Sequence, residues 1–172
     1  TSQLTCANCT TGRFMATAKA TQDVCDHCEP GYYQDETTMT NCKGCPAGKW
    51  SNQTELKEEH DCMNCTAGTY STATGVSSID RCNACSSGKF SNKEGMVKEK
   101  ACKECDKGQH QDAPGNESCV KCSAGQYMNE NGSVSCIPCS PGKFSSKEAS
   151  TKCDECPTGY LQPEPEQSKC DP

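Results

Sequence analysis

Large apolar residues occur singly or in adjacent pairs in this chain, separated by longer polar stretches. The recurring unit is Cys, two residues, Gly, one residue, an aromatic residue, a polar stretch and Cys-x-x-Cys, and Cys45 to Cys65 contains one copy. No stretch keeps a 3.6-residue apolar period, so the pattern predicts short strands and turns with almost no helix. The best candidate for a short helical turn lies between Glu55 and Asp61.

The unit is repeated along the whole chain. Cys-x-x-Cys pairs begin at residues 6, 25, 42, 62, 82, 102, 119, 136 and 153, and Cys170 follows them alone. Successive pairs start 17 to 20 residues apart, and such a short period indicates a tandem array. We therefore predict nine units in residues 1–172, with approximate bounds 6–25, 25–42, 42–62, 62–82, 82–102, 102–119, 119–136, 136–153 and 153–170.

Two further positions recur in each unit. A glycine lies three residues after the second cysteine of every pair, where it permits a positive φ or a close backbone approach. Two residues later, seven units carry an aromatic residue, whereas His110 and Leu161 stand there in the other two. We expect the aromatic residues to pack on the neighbouring disulfide and join one unit to the next. They are Phe14, Tyr33, Trp50, Tyr70, Phe90, Tyr127 and Phe144.

The composition requires crosslinks in place of an apolar core. Leu, Ile, Val and Phe together supply 13 of 172 residues, and the net charge is -6, a combination that ordinarily predicts disorder. However, the chain contains 19 cysteines, a density typical of secreted disulfide scaffolds. We predict a small disulfide-rich fold, an extended rod of tandem cysteine-rich repeats, located outside the cell or on its surface.

Repetition leaves two pairing schemes for the cysteines. In one scheme, adjacent pairs interlock, first cysteine to third and second to fourth, which needs two alternating types of unit. In the simpler scheme, the second cysteine of each pair bonds to the first of the next, and only Cys6 lacks a partner. Its partner would then lie upstream in a longer chain. The simpler scheme gives Cys9–Cys25, Cys28–Cys42, Cys45–Cys62, Cys65–Cys82, Cys85–Cys102, Cys105–Cys119, Cys122–Cys136, Cys139–Cys153 and Cys156–Cys170.

The segments Cys45-Pro-Ala-Gly-Lys-Trp50 and Cys139-Ser-Pro-Gly-Lys-Phe144 resemble the ephrin-receptor-like cysteine-rich repeats. They are also similar to the single-disulfide module of tumour-necrosis-factor-receptor ectodomains. The resemblance covers the full chain and implies the simpler pairing scheme. Such repeats serve receptors, surface coats and filaments alike, and the long run of units without another domain type favours an extracellular structural protein, such as a spacer, a stalk or a component of a flagellar-hair-like filament. The alternatives are a receptor or adhesion ectodomain that binds a protein ligand, and a protist surface-coat antigen.

No residue set predicts catalysis or a cofactor. The chain lacks a recognisable combination of nucleophile, base and orienting group, so we expect no enzymatic activity. Repeated Cys-x-x-Cys pairs also fit four-thiolate zinc sites, but the cysteine count is odd and the histidines follow no ligand pattern. The acidic residues have no EF-hand spacing. We therefore expect neither a cofactor nor a metal.

Glycans and proteins are the expected partners. Asn52, Asn116 and Asn131 begin sequons in the segments between cysteine pairs, and we predict N-glycosylation there. The sequons at Asn8 and Asn64 lie inside Cys-x-x-Cys pairs, where crowding should hinder modification. The acidic balance argues against nucleic acid, and no apolar run is long enough for this segment to insert directly in a membrane. Self-association or other extracellular proteins remain as partners.

Overall fold

The computed structural model of this chain describes residues 9–16 and 24–172. Cys6 and Asn8 lie outside the described residues, so the predicted upstream partner of Cys6 and the sequon at Asn8 stay predictions. On a larger scale than the repeats, contacts divide the chain into two compact bodies. One comprises Thr1–Asn83 and Glu94–Glu99, and the other comprises Ala84–Lys93 and Lys100–Pro172. Among the described residues, no helix combines the length and apolar character that crossing a membrane requires.

Nine disulfides connect the described cysteines, and each joins the second cysteine of one pair to the first cysteine of the next. This is the simpler of the two pairing schemes. The residues that each disulfide closes are numbered here as loops: loop 1 (Cys9–Cys25), loop 2 (Cys28–Cys42), loop 3 (Cys45–Cys62), loop 4 (Cys65–Cys82), loop 5 (Cys85–Cys102), loop 6 (Cys105–Cys119), loop 7 (Cys122–Cys136), loop 8 (Cys139–Cys153) and loop 9 (Cys156–Cys170).

Loops 1 to 8 each contribute to a two-stranded sheet. One strand contains the aromatic position, and the other consists of the two residues between the cysteines of the following pair. The pairs are β1 (Arg13–Phe14) with β2 (Asp26–His27), β3 (Tyr32–Tyr33) with β4 (Lys43–Gly44), β5 (Lys49–Trp50) with β6 (Met63–Asn64), β7 (Thr69–Tyr70) with β8 (Asn83–Ala84), β9 (Lys89–Phe90) with β10 (Lys103–Glu104), β11 (Gln109–His110) with β12 (Val120–Lys121), β13 (Gln126–Tyr127) with β14 (Ile137–Pro138), and β15 (Lys143–Phe144) with β16 (Asp154–Glu155).

Loop 3 shows how the recurring residues build such a hairpin. Lys49 lies opposite Asn64, and Trp50 lies opposite Met63, in antiparallel register. Gly48 has a φ of +80°, and its carbonyl accepts a hydrogen bond of 2.8 Å from the Cys65 N–H. Glycine adopts this left-handed conformation without a Cβ penalty, and the turn therefore directs the chain into β5. In loop 9 the corresponding pairing is an isolated antiparallel bridge between Leu161 and Asp171.

Short 3₁₀ turns occur in the three repeat units whose cysteine pair begins 20 residues before the next pair. They span Glu59–Asp61, Ile79–Arg81 and Glu99–Ala101. The predicted helical turn therefore covers only the last part of the segment that begins at Glu55. Glu55 itself has a φ of +58°, which right-handed helix does not allow.

Disulfides occupy the positions that a conventional core would give to aliphatic side chains. The second cysteine of every pair from Cys9 to Cys139 is at most 1% exposed. In one cluster, the Tyr33 ring packs with Leu56 against the Cys45–Cys62 disulfide of the next loop. The expected packing of an aromatic residue on the neighbouring disulfide is therefore present here. The fold is small and disulfide-rich, and its hairpin units are repeated along the chain.

Candidate functional site: the contacts between repeats

Each of loops 2 to 9 is joined to the previous loop by a hydrogen bond from one backbone N–H, and the residue that donates it is called the tip residue below. The tip residue has a positive φ, and its N–H donates to the carbonyl of the cysteine that opens the previous loop. In loop 3, for example, the Glu55 N–H donates to the Cys28 carbonyl over 2.9 Å. The other tips and acceptors are Thr38 and Cys9, Gly75 and Cys45, Gly95 and Cys65, Gly115 and Cys85, Gly132 and Cys105, Ala149 and Cys122, and Glu166 and Cys139.

The residue after each aromatic position supplies a second set of backbone contacts. The Ser71 N–H donates to the Met96 carbonyl of the next loop, and the Ser71 carbonyl accepts from the Gly48 N–H of the previous loop, both over 2.9 Å. These paired bonds place the residue between its two neighbours. It is buried in all nine loops, as Met15, Gln34, Ser51, Ser71, Ser91, Gln111, Met128, Ser145 and Gln162.

Most of these buried residues are polar, and their side chains bond within their own loop. Ser51 Oγ accepts from the Gln53 N–H over 3.1 Å. Gln34 Oε1 accepts from the Glu36 N–H over 3.0 Å, while its Nε2 donates to the Asn41 carbonyl over 2.5 Å. Buried polar groups need such partners to offset lost hydration. In the described part of the chain, buried Gln162 Nε2 has none.

The regular spacing of the glycines has a further structural reason. A Cβ built on Gly31 would lie 2.5 Å from the carbonyl oxygen of Gly75, which is the tip residue two loops later. A Cβ on Gly12 would lie 2.5 Å from the carbonyl oxygen of Glu55, again two loops later. Both glycines also have a positive φ. The sequence predicted either an unusual φ or a close backbone approach at these glycines, and both apply at Gly12 and Gly31.

The buried polar position was not predicted from the sequence, because this residue follows the aromatic residue directly and resembles the start of a polar loop. The available signal was recurrence, since only Ser, Gln or Met occupies the position in nine units. The tip residues carried a weaker signal. Gly75 suggests a positive φ, but Glu55 and Ala149 adopt the same conformation without a residue type that favours it.

His110 takes the aromatic position of loop 6, and its ring lies against the disulfide of loop 7. Its Nδ1 is 3.1 Å from Cys136 Sγ. The potential ligand atoms of His110, Cys122 and Cys136 all lie within 4.8 Å of one another. Since Cys122 and Cys136 are bonded to each other, neither has a thiolate to offer a metal. The geometry is that of a histidine packed on a disulfide.

The surface charges form short pairs at the loop edges. Lys43 Nζ lies 2.6 Å from Asp35 Oδ1 and 2.7 Å from Glu36 Oε1. The hydrogen bond from Lys43 lowers the pKa of Asp35, and the bonds to Asp35 and Glu36 raise the pKa of Lys43. Burial raises the pKa of Tyr33, and the nearby carboxylates of Glu59 and Asp35 raise it further. Exposed ion pairs of this kind add little to the free energy of unfolding. We therefore expect the contacts between loops to contribute more to it than these pairs do.

The three candidate glycosylation sites differ in their surroundings. Asn52 and Asn131 are exposed. Asn116 is half-buried, and its Nδ2, the atom that would carry a glycan, donates to the Ala113 carbonyl over 3.0 Å. The Asn116 carbonyl also accepts a hydrogen bond from the Ser91 N–H of the previous loop. Asn52 and Asn131 are therefore the better-presented acceptors.

Comparison with known families agrees with this geometry. The profile of a family described as tyrosine-protein kinase ephrin type A/B receptor-like matches residues 16–62, 96–135 and 112–152. These matches cover more than half of the chain. The chain belongs to this family. No curated protein matches it significantly. Membership of the ephrin receptor-like family, together with nine disulfides, indicates an extracellular domain.

Proposed function

We propose that this ephrin receptor-like chain is an extracellular structural element, a disulfide-stapled spacer or stalk, or a filament component. The observation that carries the proposal is the repeated use of the same contacts between loops. The tip N–H, the buried residue after the aromatic position and the glycine all bond or pack against neighbouring loops. The proposed role involves neither catalytic activity nor a cofactor.

The disulfide pattern suits a load-bearing role. A pulling force that reaches Cys45 passes through the disulfide to Cys62, so the residues of loop 3 stay outside the loaded path. The two Cα atoms of this disulfide are 5.8 Å apart. Only the Cys-x-x-Cys segments between disulfides remain to be stretched. Such a chain resists extension even when its hairpins open.

Stretching single molecules tests this proposal. With handles at residues 9 and 170, the loaded path comprises nine disulfides and eight Cys-x-x-Cys segments, about 140 Å when straight. With every disulfide reduced, the same residues reach about 560 Å. We expect the shorter limit without reductant and the longer limit with it. An extension of several hundred ångströms without reductant would rule out a stapled load-bearing element.

A second candidate function, a receptor or adhesion ectodomain, has one observation in its favour. An open cavity of about 460 Å³ lies beside loops 2 and 3, and its lining includes Lys49, Lys57, Glu58 and His60. It could receive a charged segment of a protein ligand. Crosslinking on native cells would distinguish the candidates, since a partner lost from a Lys57→Glu variant, but retained by a Lys147→Glu variant, favours the receptor.

A further inference from the structure

The residue that follows the closing cysteine of a loop is apolar in three repeats and polar in the other six. The apolar residues are Met63 after loop 3, Val120 after loop 6 and Ile137 after loop 7. Their exposed fractions are 40%, 53% and 41%. The polar residues at this position are Asp26, Lys43, Asn83, Lys103, Asp154 and Asp171. Since the hairpin forms with either kind of residue, the fold itself does not require these exposed apolar side chains.

The same three loops carry the sequons that lie between cysteine pairs. Asn52 begins a sequon in loop 3, Asn116 in loop 6 and Asn131 in loop 7. The other six loops contain no Asn-x-Ser/Thr between their cysteine pairs. Each exposed apolar residue at this position therefore has an asparagine acceptor in its own loop, and each loop without an acceptor has a polar residue there.

In loop 7 the acceptor and two exposed apolar residues line one groove. An open cavity of about 440 Å³ has Asn131, Val134 and Ile137 in its lining. All three residues are exposed. A sugar attached to Asn131 Nδ2 therefore starts beside an apolar surface of its own loop.

Loop 4 has the equivalent groove without a sequon, and polar residues take the two exposed apolar places. The cavity in loop 4 is about 390 Å³, and its lining includes Ser77 and Asn83. Ser77 and Val134 each lie two residues after the tip residue, while Asn83 and Ile137 each follow the closing cysteine. The groove therefore belongs to the repeat, whereas its exposed apolar residues accompany the sequon.

We propose that the N-linked glycan of Asn131 packs its first N-acetylglucosamine on Val134 and Ile137. Met63 and Val120 serve the glycans of loops 3 and 6 in the same way. The pyranose ring of this sugar carries C–H groups on its faces, and its acetamido group carries a methyl. Packing these groups on an exposed apolar side chain removes apolar area from water. The proposal rests on the predicted glycosylation and is independent of the load-bearing role.

The full chain from a glycosylating host, with its disulfides intact, provides the test. Peptide mapping first establishes the occupancy of Asn131. Nuclear Overhauser effects are then measured between the Ile137 methyl groups and the first sugar. We expect these contacts in the glycosylated chain, and we expect them to survive trimming of the glycan to one N-acetylglucosamine. Unmodified Asn131, or an occupied site without such contacts, overturns the proposal.

A stability comparison separates this packing from a general effect of the glycan. Ile137→Asn copies the residue of loop 4, and Ser133→Ala removes the sequon while keeping Asn131. Ile137→Asn should lower the Tm of the glycosylated chain by about 2–4 °C more than it lowers the Tm of the Ser133→Ala chain. Val97→Asn is the matched control, because Val97 is 46% exposed in a loop without a sequon, and its effect should be the same in both backgrounds. Equal losses for Ile137→Asn in the two backgrounds contradict the proposal.

Discussion

Alanine at Gly31 should destabilise the protein more than alanine at Gly142. Both glycines occupy the same place in their loops, with φ values of +86° and +81°. A left-handed conformation costs an alanine about 1–2 kcal/mol at either site. At Gly31, however, the added Cβ lies 2.5 Å from the Gly75 oxygen and 2.9 Å from the Val76 carbonyl carbon. Forcing backbone atoms apart adds about 1–3 kcal/mol.

The total expected cost is therefore about 2–5 kcal/mol for Gly31→Ala and about 1–2 kcal/mol for Gly142→Ala. Thermal unfolding with the disulfides intact measures the difference. For a chain of this size, each kcal/mol lowers the Tm by roughly 2–4 °C. The Tm of Gly31→Ala should then fall about 2–12 °C further than the Tm of Gly142→Ala.

Equal losses of Tm in the two variants would refute the contact between a glycine and the tip two loops later. Disulfide mapping of both variants is the necessary control, since a mispaired loop would lower the Tm for another reason. If the pairing is native and the losses are equal, only the shared φ penalty operates. The contacts between loops would then extend to the nearest neighbour alone.

Three further predictions concern charge, packing and modification. The lowered pKa of Asp35 means that its pairing with Lys43 stabilises the fold above the unfolded-state pKa, and that this contribution is lost as the pH falls through the lowered value; in a Lys43→Ala variant, NMR titration should find the Asp35 pKa closer to 3.8. Leu56→Ala removes an apolar side chain that is 5% exposed, and thermal unfolding should report a loss of about 2–5 kcal/mol; unchanged stability would contradict its role beside the disulfide. In protein from a glycosylating host, peptide mapping should find a higher occupancy at Asn52 than at Asn116, and unmodified asparagine at both would count against glycosylation.

The hairpins follow from sequence patterns that act locally. The spacing from Cys45 to Gly48 and Trp50 places a turn before a short strand, and the next cysteine pair supplies the second strand. The aromatic packing was also predictable, because Tyr33 belongs to the few large apolar side chains that could meet a disulfide. The hairpins depend on residue type and on separations within one unit, whereas the aromatic packing depends on residue type and on the disulfide of the next loop.

The backbone contacts between loops depend instead on a conformation that residue type encodes only in part, since half of the tip residues are glycines and half are not. Glu55 and Ala149 serve as tip residues with a positive φ, although neither residue favours that conformation. Ser51 is polar and yet completely buried, because its N–H donates to the Val76 carbonyl of the next loop and its Oγ accepts from the Gln53 N–H of its own loop. Backbone bonds between units tolerate almost any side chain, and sequence patterns therefore reveal the unit more readily than its stacking.

The most direct test of the central claim is the state of the cysteines in protein from its native source. Free thiols are blocked under denaturing, non-reducing conditions, and the intact mass and the linked peptides are then measured. We expect at most one blocked thiol among the 19 cysteines, with Cys45 linked to Cys62 and Cys65 linked to Cys82. Blocking of most thiols, or links between interlocked pairs, would contradict both the stapled fold and the structural role proposed for it.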